Sequence, residues 1–191
     1  PRDMGLVILT DATSQKEWEW ARWLPHVAST KGAVAAIGND TRTVGQRLNE
    51  LVQMIEQRQE MAQSKDTEIF RAIVVVFDGA RKLRQWPGAS RVLTEGPGVG
   101  IYAVCIDSEE RFLPEESRAI ISTHHGLWTL KRDREDSLEK VTADLPAWNW
   151  FEWVARAIAP IRDASDESDS AIPTSARFLS TVMMEDPEAD L

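Results

Sequence analysis

The sequence predicts a three-layer α/β fold in which helices flank a mainly parallel sheet. Two apolar, β-branched runs, Ile73–Phe77 and Gly100–Ile106, are each followed by an aspartate and are separated by enough residues for a crossover helix. Strand and helix patterns alternate up to residue 121. The carboxyl ends of neighbouring parallel strands share one edge of a sheet, and ligands of α/β proteins bind there. Asp78 and Asp107 therefore mark the candidate site.

The amino-terminal stretch predicts a buried strand followed by a helix. Leu6–Asp11 is an apolar run that ends in turn residues. Ser14 and Glu17 have the spacing of a capping box, so a helix is expected from about Gln15 to Leu24, where the following proline stops it.

A second strand and a long amphipathic helix are predicted next. The strand is Ala33–Ile37, and a capping box of Thr43 and Gln46 begins a helix that reaches about Met61. Its apolar residues recur at helical spacing and are expected to pack on the sheet, with Arg58 on the polar face. They are Val44, Leu48, Leu51, Val52 and Ile55.

The central strand leads to a short helix, a fourth strand and a further helix. The short helix is Ala89–Thr94, and the strand is Gly100–Asp107. Pro114 suits the first position of a helix and the two glutamates after it suit the positive end of the helix dipole. We therefore expect a helix from there through Ile121.

The pattern then changes to a β-hairpin followed by a carboxyl-terminal helix. Leu127–Leu130 and Ser137–Thr142 flank a charged turn, and this hairpin either joins the main sheet or stands apart. Asp144 is expected to cap a helix through about Ile161. We predict one domain over residues 1–162, followed over 163–191 by an acidic, serine-rich linker and a segment that leads to a following domain.

Composition restricts the function classes. The net charge of −9 and the isoelectric point near 4.9 predict no direct nucleic-acid partner. The single cysteine, Cys105, excludes an internal disulfide, fits a reducing compartment and is no candidate nucleophile, because apolar neighbours raise a thiol pKa. No run approaches the roughly 18 apolar residues that a membrane span needs, so a cytoplasmic segment is expected.

The strand-end Asp78 is typical of the acid that holds the water shell of Mg²⁺ in nucleotide-binding sheets, and the alternative is that Asp78-Gly79 only makes a turn. The phosphate loop Gly-x-x-x-x-Gly-Lys-Ser/Thr is absent from the chain, and glycine stands at position 79, where such enzymes often carry a second acid. His124-His125 lack the spacing of metal ligands, so no metal site is expected.

Tryptophan is abundant, with eight residues in the chain. These side chains either fill the seams between helices and sheet or include an exposed subset that anchors a protein partner.

Three stretches resemble known translocation ATPases. Trp18–His26 resembles the tryptophan-rich segment that precedes the first ATPase domain of the EccC proteins of type VII secretion, and Ile73–Gly79 resembles the strand that follows it. Gly96–Ser108 and then Leu113–Ala119 resemble FtsK/SpoIIIE-type motors from the Walker B region into the next helix. The resemblance extends from about residue 6 to residue 180.

The resemblance implies a RecA-like fold, with Asp78 at the Walker B aspartate and Asp107 near the sensor position. The Lys-Ser/Thr of the phosphate loop has no counterpart here, which is expected of the degenerate, non-catalytic ATPase-like domain of this family. The resemblance also implies a membrane-anchored, hexameric parent whose other domains use Mg-ATP. No cofactor and no small-molecule ligand are expected in this segment.

The implied role is to couple a membrane stalk to the motor domains and to contact other copies and membrane components of the secretion complex. The expected contact surfaces are the tryptophan-rich segment, with Trp18, Trp20, Trp23 and His26, and a basic loop with Arg81, Lys82 and Arg84.

Two alternatives remain open. The first is a nucleotide-binding ATPase domain that uses Asp78 with an unconventional phosphate loop around Gly38–Gly45. The second is a DNA-translocase fragment whose basic side chains contact phosphates, and these are Arg81, Lys82, Arg84 and Arg91.

Overall fold

The computed structural model of the chain describes residues 4–11, 13–29, 32–63 and 70–161. The described strands are β1 (Met4–Leu9), β2 (Ala28–Ser29), β3 (Gly32–Ala35), β4 (Ile37–Gly38), β5 (Ala72–Asp78), β6 (Ile101–Ile106), β7 (Ala119–His124), β8 (Leu127–Arg132) and β9 (Leu138–Val141). The α-helices are α1 (Thr41–Gln63), α2 (Ala80–Leu83), α3 (Ala89–Thr94) and α4 (Trp148–Ile158). The predicted linker and carboxyl-terminal segment, 163–191, lie outside the described residues.

The main sheet has four strands in the order β4-β1-β5-β6, and all neighbours are parallel. The two β-branched runs that predicted the fold are β5 and β6, and they pair along their whole length, with Asp78 beside Ile106. The prediction of a parallel sheet flanked by helices is therefore confirmed.

One face of this sheet, which we call the helix face, packs against α1, α2 and α3. Its core contains the inward-facing residues of β1, β5 and β6 together with the apolar stripe of α1 that the periodicity predicted. The largest of these fully buried side chains are Leu9, Leu48, Ile55, Phe77 and Ile101.

Helix α1 begins differently from the prediction. The carboxylate of Asp40 accepts the Thr43 amide proton at 2.8 Å, and the Thr43 hydroxyl turns back to accept from the Asn39 and Asp40 amides. Gln46 donates to Glu50 instead of reaching back. Asp40 is therefore the capping residue, because its carboxylate fills the position that the capping box would use.

The opposite face, which we call the tryptophan face, is covered by a 3₁₀ segment at Gln15–Trp23 where an α-helix was predicted. With three residues per turn, Trp18, Ala21 and Leu24 lie in one row, and all three belong to the core cluster that includes Ile8 of β1 and Val76 of β5. Trp20 and Trp23 lie in a second row that faces α4. A 3₁₀ geometry thus lets one short segment pack on both sides.

The predicted helix through Ile121 is wrong, since residues 119–124 form β7, which pairs antiparallel with β8. Three of the four residues at 120–123 are β-branched, which is typical of a strand, and pairing with β8 satisfies the backbone. The predicted hairpin is confirmed as β8 and β9, and it stands apart from the main sheet in a sheet of order β7-β8-β9.

Two further boundaries differ from the prediction. The strand predicted at Ala33–Ile37 is divided into β3, which pairs antiparallel with β2, and β4, which pairs with β1. Asp144 caps no helix, because α4 starts at Trp148 and its N-cap residue is Ala147, whose backbone is extended. Among the described helices, none combines the length and apolarity that crossing a membrane requires.

Candidate functional site

The carboxyl edge of the main sheet contains a topological switch point. The chain leaves β1 towards β4 on one side and leaves β5 towards β6 on the other. The loops after β1 and β5 therefore diverge, and a crevice between diverging loops is where open α/β sheets bind ligands. The candidate site consists of these loops and of the acidic residues that follow each of the four strands.

Asp78, the last residue of β5, lies beside this crevice. Its Oδ2 atom accepts a hydrogen bond of 2.8 Å from the indole Nε1 of Trp18 and a longer one of 3.5 Å from the Thr10 hydroxyl. The next residue, Gly79, has a φ of +88°, a left-handed conformation that favours glycine. The turn itself thus explains the glycine at position 79.

Asp11 follows β1 and fills the loop on the other side of the crevice. Its Oδ1 atom accepts the backbone amides of Thr13 and Ser14 at 2.8 and 3.2 Å, as well as the Thr13 hydroxyl. The hydrogen bond from that hydroxyl contributes most to lowering the pKa of Asp11 to about 2. Lys82, on helix α2 after β5, pairs with Oδ2 at 3.2 Å. Asp11 is therefore a fixed anion that connects both loops.

The outer two strands end in the same way. Asp40, after β4, accepts the Thr43 amide, and this backbone hydrogen bond lowers the pKa of Asp40. Asp107, after β6, accepts the amides of Arg81 at 2.9 Å and Ser108 at 2.8 Å. Burial alone would raise the pKa of Asp107, yet these backbone hydrogen bonds bring it below the ordinary value.

The carboxylates of this edge accept hydrogen bonds from the backbone amides that a bound phosphate would use. Phosphate-binding loops hold their ligand through backbone amides at strand ends and helix starts. Here the amides of residues 13, 14, 43, 81 and 108 already donate to Asp11, Asp40 or Asp107. An incoming phosphate would have to displace a carboxylate of its own charge sign at each position.

The basic segment predicted as a loop lies at this edge as helix α2 and its C-cap residue, and its side chains contact the chain itself. The Arg81 guanidinium lies over the Phe112 ring at 4.4 Å, and Arg84 donates to the Leu113 carbonyl at 3.4 Å. Arg91 is remote from the loop, on α3, where it pairs with Glu56 and Glu95.

The predicted tryptophan surface lies between the sheet and α4. Trp18 and Trp20 are half-buried and stacked on each other, and Phe151 of α4 packs on Trp20 at 5.5 Å. Trp23 remains partly exposed under the Arg156 guanidinium, and burial lowers the pKa of His26. The segment thus connects the sheet to α4.

The most exposed of the described tryptophans lie on α4, outside the two expected contact surfaces. They are Trp148, Trp150 and Trp153. Trp150, Trp153 and Ala157 have the i, i+3, i+7 spacing of a separate apolar stripe, which was the available signal.

The remaining candidates lie away from the crevice. Burial raises the pKa of the Cys105 thiol to about 11. His124 and His125 are exposed at the β7–β8 turn, and no described group of three or more His, Cys, Asp and Glu side chains has the arrangement of a metal site.

An open cleft of about 730 Å³ separates α3 from the three-stranded sheet, and its lining mixes acidic residues with Arg118, Lys131 and Arg132. Such mixed charge favours no ligand class.

Comparison with known proteins gives no relative for this chain. No protein-family model, no curated protein and no solved structure matches it.

Proposed function

We propose that this chain is a non-catalytic, ATPase-like domain of a FtsK/SpoIIIE-type translocase, of the kind found in the EccC proteins of type VII secretion. Its role is mechanical: it couples a membrane stalk to motor domains and contacts other copies and secretion-complex components. The parent is membrane-anchored and hexameric, and its motor domains use Mg-ATP.

One observation carries the proposal. The carboxylates at the carboxyl edge of the sheet hold the backbone amides that would otherwise bind phosphate, and the Trp18 indole holds Asp78. In a working ATPase the strand-end acid must be available to the water shell of Mg²⁺ and the amides to the phosphates. This edge is instead closed by contacts within the chain, which supports a structural role.

The finer fold assignment belongs to the same proposal. A RecA-like sheet is parallel, is flanked by helices and carries the Walker B aspartate at the end of a buried strand. The four parallel strands and the position of Asp78 at the end of β5 support this assignment.

The test is a calorimetric titration of the chain with Mg-ATP and Mg-ADP, with Asp78→Ala measured beside it. We expect no heat beyond dilution for either protein. The matched control, Asp136→Ala, removes an exposed carboxylate in the β8–β9 turn and should behave identically. Micromolar binding that Asp78→Ala abolishes would overturn the proposal in favour of a nucleotide-binding domain with an unconventional phosphate loop.

The same preparation tests the DNA-translocase alternative. A chain of net charge −9 whose Arg91 and Lys82 pair with acidic side chains should bind duplex DNA no better at low salt than at high salt. Binding that weakens steeply with added salt would favour the alternative.

A further inference from the structure

Among the described residues, none covers the β6 side of the tryptophan face. Three side chains of β6 point to this face and are 51% (Tyr102), 48% (Val104) and 41% (Ile106) exposed, and we call them the β6 strip. Their neighbours on β5 and β1 lie under the tryptophan segment, where Ile8 is fully buried and Val76 is 7% exposed. Parallel sheets bury both faces, so an open apolar strip on such a sheet indicates a missing layer.

Helix α4 has an exposed apolar side that is suited to cover the β6 strip. One side of the helix, with Phe151 and Ala155, packs towards the tryptophan segment. Another side presents Trp150 at 48% and Trp153 at 68% exposure, followed one turn later by Ala157, and we call these three residues the outer stripe. A helix with two apolar sides is expected to be covered on both.

The strip and the stripe match in size and charge. Tyr102 to Ile106 spans about 13 Å along a strand. Trp150 to Ala157 spans roughly 10 Å along a helix, so the stripe covers most of the strip. The strip contains no charged residue, and the charges beside the stripe, Glu152 and Arg156, pair with each other at 2.8 Å. Contact therefore buries no unpaired charge.

We propose that the outer stripe of α4 in one copy of the chain covers the β6 strip of a second copy. The inference deepens the subunit-contact part of the proposed function, but its test uses no nucleotide, so either can fail while the other stands. At roughly 200 Å² for a tryptophan, the exposed parts of Trp150 and Trp153 contribute on the order of 230 Å². The whole contact therefore stays below the roughly 1,000 Å² of a stable interface, and we expect weak, concentration-dependent association.

Sedimentation of the full chain over a range from about 10 µM to about 1 mM measures this association. Val104→Asp places a charge in the strip and Trp153→Ser truncates the stripe, and each variant is expected to weaken association at least tenfold. The control, Ile121→Asp, alters an exposed apolar strand residue on β7 and should associate like the unaltered chain. Circular dichroism verifies folding, and Tyr102→Ser replaces Val104→Asp if the latter unfolds.

Mixing the two variants gives the decisive result. The Val104→Asp chain retains an intact stripe and the Trp153→Ser chain retains an intact strip, so the mixture should associate more strongly than either variant does by itself. A mixture that stays monomeric would overturn the proposal, as would a monomeric unaltered chain at every concentration. If the Trp153→Ser variant still associates and the Val104→Asp variant does not, the strips of two copies pair with each other. If the reverse is observed, the outer stripes of two copies pair with each other. Either outcome would also overturn it.

Discussion

The helix face and the tryptophan face belong to the same four strands, yet they are buried by different means. On the helix face, three α-helices cover β1, β5 and β6, and the inward side chains of all three strands are buried or half-buried. On the tryptophan face, a 3₁₀ segment covers β1 and β5, and the β6 strip stays exposed. Among the described residues the helix face is therefore fully covered, whereas the tryptophan face leaves one strand open.

The difference follows from the kind of segment that each face uses. The 23-residue helix α1 spans the helix face with a continuous apolar stripe. The 3₁₀ segment is nine residues long, and its rows of tryptophan and alanine reach only the nearest strands. Length and periodicity together decide how far a covering segment extends over a sheet.

The largest predicted effect compares one residue from each face. Phe77→Ala, on the helix face, should lower the free energy of unfolding by about 3–5 kcal/mol, because the truncation leaves a cavity in a fully buried core. Val104→Ala, on the open strip, should lower it by less than about 1 kcal/mol in a dilute sample, because half of that side chain is already in water. Urea unfolding at low protein concentration measures both. Equal losses would mean that the two faces are equally covered.

A second prediction concerns the polar contact that closes the helix face at its amino edge. The buried Arg58 of α1 donates to the carbonyl oxygens of Val99 at 2.7 Å and Arg71 at 2.8 Å. Arg58→Met keeps most of the apolar stem but leaves these carbonyls without the donor, which should cost about 2–3 kcal/mol of unfolding free energy. The control is Arg42→Met, an exposed position near the start of the same helix, which should change little. A loss of the same size in both variants would contradict the assigned role.

The sequence predicted most of the helix face. Alternating strands and helices, the β-branched runs of β5 and β6 and the apolar spacing of α1 each depend on local periodicity, and the structure confirms them. The prediction of Arg58 on the polar face is wrong, because helical spacing alone does not show that a guanidinium turns inward to backbone carbonyls from distant residues.

The tryptophan face was harder to predict. An i, i+3 row and an i, i+4 row differ little over nine residues, so the 3₁₀ geometry depends on contacts with the sheet and α4 that lie far away in sequence. At the candidate site, the positions of Asp78 and Asp107 at neighbouring strand ends followed from the strand pattern. The role of Asp11 did not, because it depends on which amides its carboxylate reaches after folding.

The smallest predicted effect is the pH dependence of the stability that Asp11 gives to the 3₁₀ segment on the tryptophan face. The Asp11 carboxylate holds the amides of Thr13 and Ser14 at the entry to the 3₁₀ segment. Since its pKa in the folded chain, about 2, lies below the ordinary value of 3.8, its stabilising contribution is present above pH 3.8 and is lost as the pH falls through about 2. The exposure of this carboxylate keeps the contribution small.

Asp11→Asn supplies the reference, because an amide does not titrate in this range. The unaltered chain should be more stable than Asp11→Asn at pH 6, and the difference should shrink below pH 3.8 and vanish towards pH 2, as measured by urea unfolding followed through tryptophan fluorescence. The control variant Asp136→Asn, in the β8–β9 turn, should show no such convergence. A difference in stability between the unaltered chain and Asp11→Asn that does not change with pH would show that the charge of Asp11 does not hold this face.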